Sequence, residues 1–179
     1  MNSVRYLLLL LLCGCTVAQF DLSERLTLDS PEALIVEGTP PAKVSLQWAP
    51  QPIEQFNISQ NADGLTDRND YRDFAVGRLI SKRVEDYIGT VSQLVPAGDD
   101  RVTVTFNDAS LNYKFGWRNL AYAKLLVNAE IQINNRSRKK IYYRQSVDRP
   151  ELTAVAMLDA VFDEVAIEIG QDILGALAR

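Results

Sequence analysis

From Ala121 to Ile133 every odd-numbered residue is apolar: Ala121, Ala123, Leu125, Val127, Ala129, Ile131 and Ile133. Between them stand Tyr122, Lys124, Leu126, Asn128, Glu130 and Gln132. A period of two over this length is a β-strand with one dry face and one mostly wet face, because successive side chains leave a strand on opposite sides. Such a strand suits an antiparallel sheet covered on one side only. The chain must therefore supply a layer to cover the odd-numbered face.

Two helical patterns supply it. Between Asn69 and about Val95, the residues Val76, Ile80, Val84, Tyr87, Ile88, Val91 and Leu94 recur at threes and fours, which gives one buried stripe. Asn69 suits the cap, Asp70 and Asp73 the first turn, and Pro96-Ala97-Gly98 the stop. Arg72, Arg78, Lys82, Arg83, Glu85 and Asp86 fill much of the opposite side. The second pattern begins at Asp148-Arg149-Pro150-Glu151, a capping sequence, and runs to about Ala178. Its stripe is Val155, Leu158, Phe162, Val165, Ile169, Ile173 and Leu177, and Asp159, Asp163, Glu164, Glu168 and Asp172 make much of the other side acidic. That acidic side reads as a solvated face. Gly77, Gly89, Gly170 and Gly175 stand singly in these patterns and suit close helix packing.

Three more strands complete the sheet. Lys43 to Trp48 alternates and is closed by Pro50 and Pro52. A polar loop follows to about Arg68. Val102, Val104 and Phe106 alternate on even numbers, but Leu111, Tyr113, Phe115 and Trp117 alternate on odd ones. A β-bulge near Asn107 to Ala109 would restore one inner face. Gly116 to Asn119 and Asn134 to Lys139 read as turns. In the last strand Ile141, Tyr143 and Val147 are expected inward, leaving Tyr122, Leu126, Tyr142 and Arg144 on the wet face. The expected fold is α+β, with two helices on one face of a mostly antiparallel four-stranded sheet, in the order β-α-β-β-β-α.

The first residues carry a different signal. Arg5 precedes an apolar run that contains six leucines, Leu7 to Leu12, too short for a membrane span and suited to an export signal. It ends in Leu12-Cys13-Gly14-Cys15, which resembles the bacterial lipobox. That resemblance implies diacylglyceryl attachment at Cys15, cleavage before it and acylation of the new amino terminus. Thr16, rather than Asp, follows the Cys, which by the same resemblance favours the outer membrane of a Gram-negative bacterium, facing the periplasm. An ordinary signal cut near Ala18-Gln19 is the alternative. The expected division is a signal peptide at 1–14, a lipidated tether at 15–42 and one α+β domain at 43–179. Ala33 to Val36 could add an edge strand.

Composition narrows the chemistry. The chain has no His and two Cys, Cys13 and Cys15. Removing residues 1–14 takes one Arg and no acid, so the net charge goes from −4 to −5. After that cleavage the only Cys is Cys15, which the lipid would occupy, so no thiol nucleophile, Ser-His pair, disulfide or common zinc site is expected, and the acidic balance argues against nucleic acid as a partner. No catalytic residue, metal or cofactor is expected, and the chain reads as a non-enzyme.

Two groups are candidate contacts. The hairpin tip Arg136, Arg138, Lys139 and Lys140 reads first as a solvated turn with edge-blunting lysines, or one paired with Asp99 and Asp100; it also suits an anionic ligand, phospholipid or lipopolysaccharide phosphate, or an acidic partner. Trp117 and Tyr122, with Tyr113 and Phe115, form an aromatic group that suits either a contact surface or a packed sheet end. The exposed sheet edge could also accept an added strand.

The lipobox, the polar tether and the element order together resemble small Gram-negative envelope lipoproteins. These are the YajG-type and LptE-like proteins and the auxiliary lipoproteins of ABC-type lipid transporters. Thr16-Val17-Ala18-Gln19 stands where LptE often has Gly-Trp-His-Leu-Arg, so the YajG type is the nearer neighbour. The resemblance implies an accessory or scaffold protein of the envelope that binds a protein partner. The alternative is a lipid- or lipopolysaccharide-binding component of a transport system.

Overall fold

The computed structural model describes residues 22–27, 43–49, 58–61, 71–98, 100–115, 120–147 and 153–178. Seven strands and two helices follow in chain order. They are β1 (Lys43–Ala49), β2 (Ile58–Asn61), β3 (Tyr71–Phe74), α1 (Val76–Gly89), β4 (Gln93–Leu94), β5 (Arg101–Phe115), β6 (Leu120–Ile133), β7 (Arg136–Val147) and α2 (Ala154–Leu177).

The main sheet has five strands in the order β4-β1-β5-β6-β7. The expectation of four mostly antiparallel strands is therefore corrected to a mixed sheet. β1 lies parallel to both β4 and β5, while β5, β6 and β7 are antiparallel to one another. The parallel pairing follows from the element order: a helix between two neighbouring strands carries the chain back to the end where it started. A separate hairpin joins β2 to β3.

The first helix is shorter than its periodicity suggested. Tyr71–Phe74 pairs with Ile58–Asn61, so Asp73 lies in a strand and not in a first helical turn. Ala75 occupies the cap without any side-chain capping bond, and Asn69 and Asp70 lie outside the described residues. The helix stops at Gly89, because Gln93–Leu94 turns into the sheet edge beside β1. Val95 N then donates to Val44 O at 2.9 Å. In α2 Thr153 is the cap and accepts from Ala156 N at 3.1 Å. The expected cap Asp148 lies outside the described residues, as does the expected edge strand at Ala33–Val36.

β5 carries the expected bulge. Its register against β6 shifts between Phe106 and Asp108, and Val102, Val104, Phe106, Leu111 and Tyr113 are all buried. The hairpin between β6 and β7 is tighter than expected. The turn is only Asn134-Asn135, with Asn134 at φ 52°, a left-handed conformation that asparagine accepts more readily than most residues. β7 therefore starts at Arg136, and the basic residues belong to a strand rather than to a loop.

The phase of β7 is opposite to that expected. Tyr142 is fully buried, whereas Ile141, Tyr143 and Val147 are 60%, 46% and 56% exposed. The face turned toward α2 is Lys140, Tyr142 and Arg144.

The core lies between the sheet and the two helices. Helix contact is close at Gly170, where an added Cβ would stand 2.3 Å from Tyr87 Cδ1. The expectation of a packing glycine holds there, but Gly89 and Gly175 face nothing within 4 Å. Among the described residues no helix is long and apolar enough to cross a membrane.

Candidate functional site

β7 is the last strand of the main sheet, and among the described residues no strand pairs with its outer edge. Its two faces are built differently. On the helix side Lys140 Nζ lies 2.7 Å from Asp172 Oδ2 and 2.9 Å from Glu168 Oε1. Arg144 Nη2 lies 2.6 Å from Glu168 Oε2. Tyr142 Oη donates to Asp172 Oδ2 at 3.0 Å. Burial, followed by the Asp172 carboxylate, pushes the Tyr142 phenol far up, so it stays a neutral donor. Burial alone would lower the Lys140 ammonium, but its bonds to Asp172 and Glu168 outweigh burial and leave it raised. Lys140 is thus absorbed into the fold and is no part of a free basic tip. The C-terminal half of the acidic side of α2 serves as its counter-charge.

On the outer side Tyr143 pairs across to Leu126, Val147 to Tyr122 and Ile141 to Asn128. Tyr122 is half-buried, with the Lys124 ammonium 5.0 Å from its ring centroid. Trp117, expected beside it, lies outside the described residues, and so does Cys15. Toward the hairpin turn Arg136, Arg138 and Lys139 are exposed. Lys139 Nζ lies 3.4 Å from Glu130 Oε2. The Ser137 hydroxyl also bonds Glu130, and that bond, more than Lys139, holds the carboxyl below its usual range. Beside this end an open cleft of about 530 Å³ is lined by Gly98, Arg101, Thr103, Gln132, Asn134 and Asn135. Among the described residues no cluster suits a metal ion.

A second built feature escaped the sequence reading. Arg83 on α1 is completely buried. Its guanidinium bonds Asp159 Oδ1 and the Ser23 carbonyl, donates to Asp159 O at 2.8 Å, and lies 3.0 Å from Asp163 Oδ1. Both Asp159 and Asp163 are buried, which corrects their reading as a solvated face. Two charges survive burial only when paired and hydrogen-bonded, and part of the pairing comes from Leu22–Thr27. Ser23 N donates to Asp159 Oδ1 at 3.2 Å. Thr27 N and Oγ1 donate to Asp163 Oδ2 at 3.0 and 2.6 Å. Leu26 N donates to Asp86 Oδ2 at 3.3 Å, Glu24 pairs with Arg78, and Leu22 enters the core. Six residues expected in a free tether are therefore seated on the helix layer. A usable signal existed: Asp159 and Asp163, one helical turn apart, border an apolar stripe, and Arg83 sits between Ile80, Val84 and Tyr87 within the other.

No family model matches the chain. No curated protein sequence matches it either. Several solved structures share part of its arrangement. A Xanthomonas campestris protein of family DUF330 is 12% identical with a TM-score of 0.45, covering 78% of this chain and 92% of that one. A minor lipoprotein from Acinetobacter baumannii is 11% identical with a TM-score of 0.38, covering 76% and 92%. Rare lipoprotein B from Shewanella oneidensis is 18% identical with a TM-score of 0.34, covering 76% and 93%.

Proposed function

We propose that the chain is a lipid-anchored protein of the bacterial envelope, held at the outer membrane through Cys15, that acts by binding a protein partner rather than by catalysis. The anchor rests on Leu12-Cys13-Gly14-Cys15 after its apolar run. The lipobox supports the likeness to small envelope lipoproteins such as the YajG type. The observation that carries the binding reading is β7: an edge strand whose outer face leaves Ile141, Tyr143 and Val147 largely exposed. Sheet proteins usually blunt such an edge along its length with charge, bulges or a covering element. Here the exposed cations lie at the Arg136 end, and the Val147 end presents apolar side chains beside backbone groups that no described strand pairs. That combination suits an added strand, which gains backbone bonds along the edge and pockets for alternate side chains.

Photo-crosslinkers placed at Tyr143 and Val147 in living cells should capture one envelope protein, in a manner insensitive to salt. Ile141→Glu with Tyr143→Glu should abolish capture from the Val147 position without moving the melting temperature. Capture that survives this pair of changes overturns the reading.

A second reading is favoured by the basic end. Arg136 and Arg138 stand exposed at the hairpin end of β7, on the sheet face opposite to the cleft that Arg101 lines, and suit an anionic lipid or lipopolysaccharide headgroup. It requires salt-sensitive binding to phosphatidylglycerol vesicles or lipopolysaccharide, lost on Arg136→Glu with Arg138→Glu.

A further inference from the structure

We infer that Leu22–Thr27 is a docked strap that fixes how the domain hangs from its anchor, with the helix layer toward the bilayer and the outer sheet face turned away. The inference rests on the proposed lipidation of Cys15. Every side-chain bond and ion pair described between this segment and the rest of the domain goes to α1 or α2, and none to the sheet. The layers therefore stack as strap, helices, sheet.

Covalent length then sets the reach. Six residues separate Cys15 from Leu22, seven Cα steps that span at most about 25 Å. An undocked chain from Cys15 to Lys43, where β1 begins, could reach about 100 Å. Turning the sheet face to the bilayer would place the helix layer, about 10 Å thick, together with the sheet and its side chains, between strap and lipid. The short leash would then be near full stretch. Docking thus shortens the tether and favours one orientation, the one that holds Ile141, Tyr143 and Val147 out toward a partner beyond the membrane surface.

The strap is held by recognition specific to it. The Arg83 guanidinium takes the Ser23 carbonyl, Asp159 takes the Ser23 amide, and Asp163 takes both donors of Thr27. These are buried or half-buried charged groups aimed at backbone atoms, a built seat rather than a chance contact. Ser23→Pro removes one amide donor and Thr27→Val one hydroxyl, and both leave Arg83 with its two aspartates. This pair tests the strap even where Arg83→Met fails to fold.

The processed, lipidated protein is placed in phosphatidylethanolamine–phosphatidylglycerol vesicles that carry an acceptor-labelled lipid. A donor dye is attached through Lys82→Cys on α1 or, separately, Gln145→Cys on the outer face of β7. Transfer to the bilayer should be stronger from 82 than from 145, and Ser23→Pro with Thr27→Val should abolish the difference. Trypsin cleavage at Arg25 should be slow in the intact protein. It should be at least about tenfold faster in the double variant, the effect of losing one charge-assisted hydrogen bond. Equal transfer from both positions in the intact protein overturns the orientation, and cleavage at Arg25 as fast as in the double variant overturns the strap. The mass of the processed protein reads the anchor separately. Absence of acyl chains on Cys15 would sink the proposed function, and with it the orientation, while the Arg25 rates would still decide docking.

Discussion

β7 carries basic residues at two levels, and they meet opposite fates. Lys140 and Arg144 point at α2 and are taken up by Glu164, Glu168 and Asp172. Arg136, Arg138 and Lys139, a few residues earlier, stand in water beside the turn. Arg83 on α1 extends the first fate to its limit, sealed with two aspartates and a docked backbone. The difference teaches where a charge becomes structural. It does so where a helix brings carboxylates to meet it and water is excluded; elsewhere the same residue type remains free to meet a partner.

The largest break in this contrast should come at Arg83. Arg83→Met leaves Asp159 and Asp163 buried without their counter-charge, and removing one member of a buried pair costs about 3–5 kcal/mol. Urea unfolding should show that loss, and a cost under about 1 kcal/mol would mean the cluster is open to water. Lys140→Met should cost less, about 1–2 kcal/mol, since the group is only partly buried and its bonds are charge-assisted. A double-mutant cycle with Asp172→Asn should return coupling of about 1 kcal/mol. Additive effects would move Lys140 back among the solvated tip residues.

A finer test uses pH. Burial raises the Asp163 carboxyl above its usual value of 3.8, and the Thr27 bonds and the Arg83 charge offset that only in part. A carboxyl raised in the folded state holds its proton more tightly there than in the unfolded chain. Its stabilising contribution is complete below the ordinary aspartate value and is lost as pH rises through the folded value. The melting temperature of the intact protein minus that of Asp163→Asn should therefore fall as pH rises above about 4. A difference that grows with pH would show Arg83 holding the charged form and reverse the assignment.

Much of the fold was legible because hydrophobicity marks the dry side of most elements. The alternation of β6, the phase change that requires the bulge at Asn107 and the stripe of α2 all appear where the residues imply. The inner face of β7 was not legible, because its cover is ionic. The stems of Lys140 and Arg144 can lie over apolar surface while their charged heads reach carboxylates on another element. Ile141, Tyr143 and Val147 then mimic a core pattern on the wrong side. β2, β3 and β4 were missed for another reason. They are two to four residues long, too short to show a period, and are held by backbone pairing. Of the candidate contacts, Lys140 pairs with α2, Arg136, Arg138 and Lys139 are exposed, and Cys15 and Trp117 lie outside the described residues. The Arg83 seat was hidden because a buried arginine in a helix stripe looks like an interruption of it. Only the spacing of Asp159 and Asp163 on a distant helix explains it.

The smallest expected effect sharpens the contrast from the other side. Arg136→Ser with Arg138→Ser removes two exposed cations that have no ion pair among the described residues. Surface changes of this kind stay within about 0.5 kcal/mol, so chemical unfolding should scarcely register them. The two side chains sit one and three positions from the Asn134-Asn135 turn, and neither is needed to set the register, which the backbone ladder from Ile133–Arg136 to Tyr122–Val147 holds. A stability loss comparable to that of Lys140→Met would mean that the tip is braced like the helix-facing side. The division of β7 into a structural face and a free end would then fail, and the anionic-headgroup reading with it, since cations spent on bracing the fold could not also be open to a ligand.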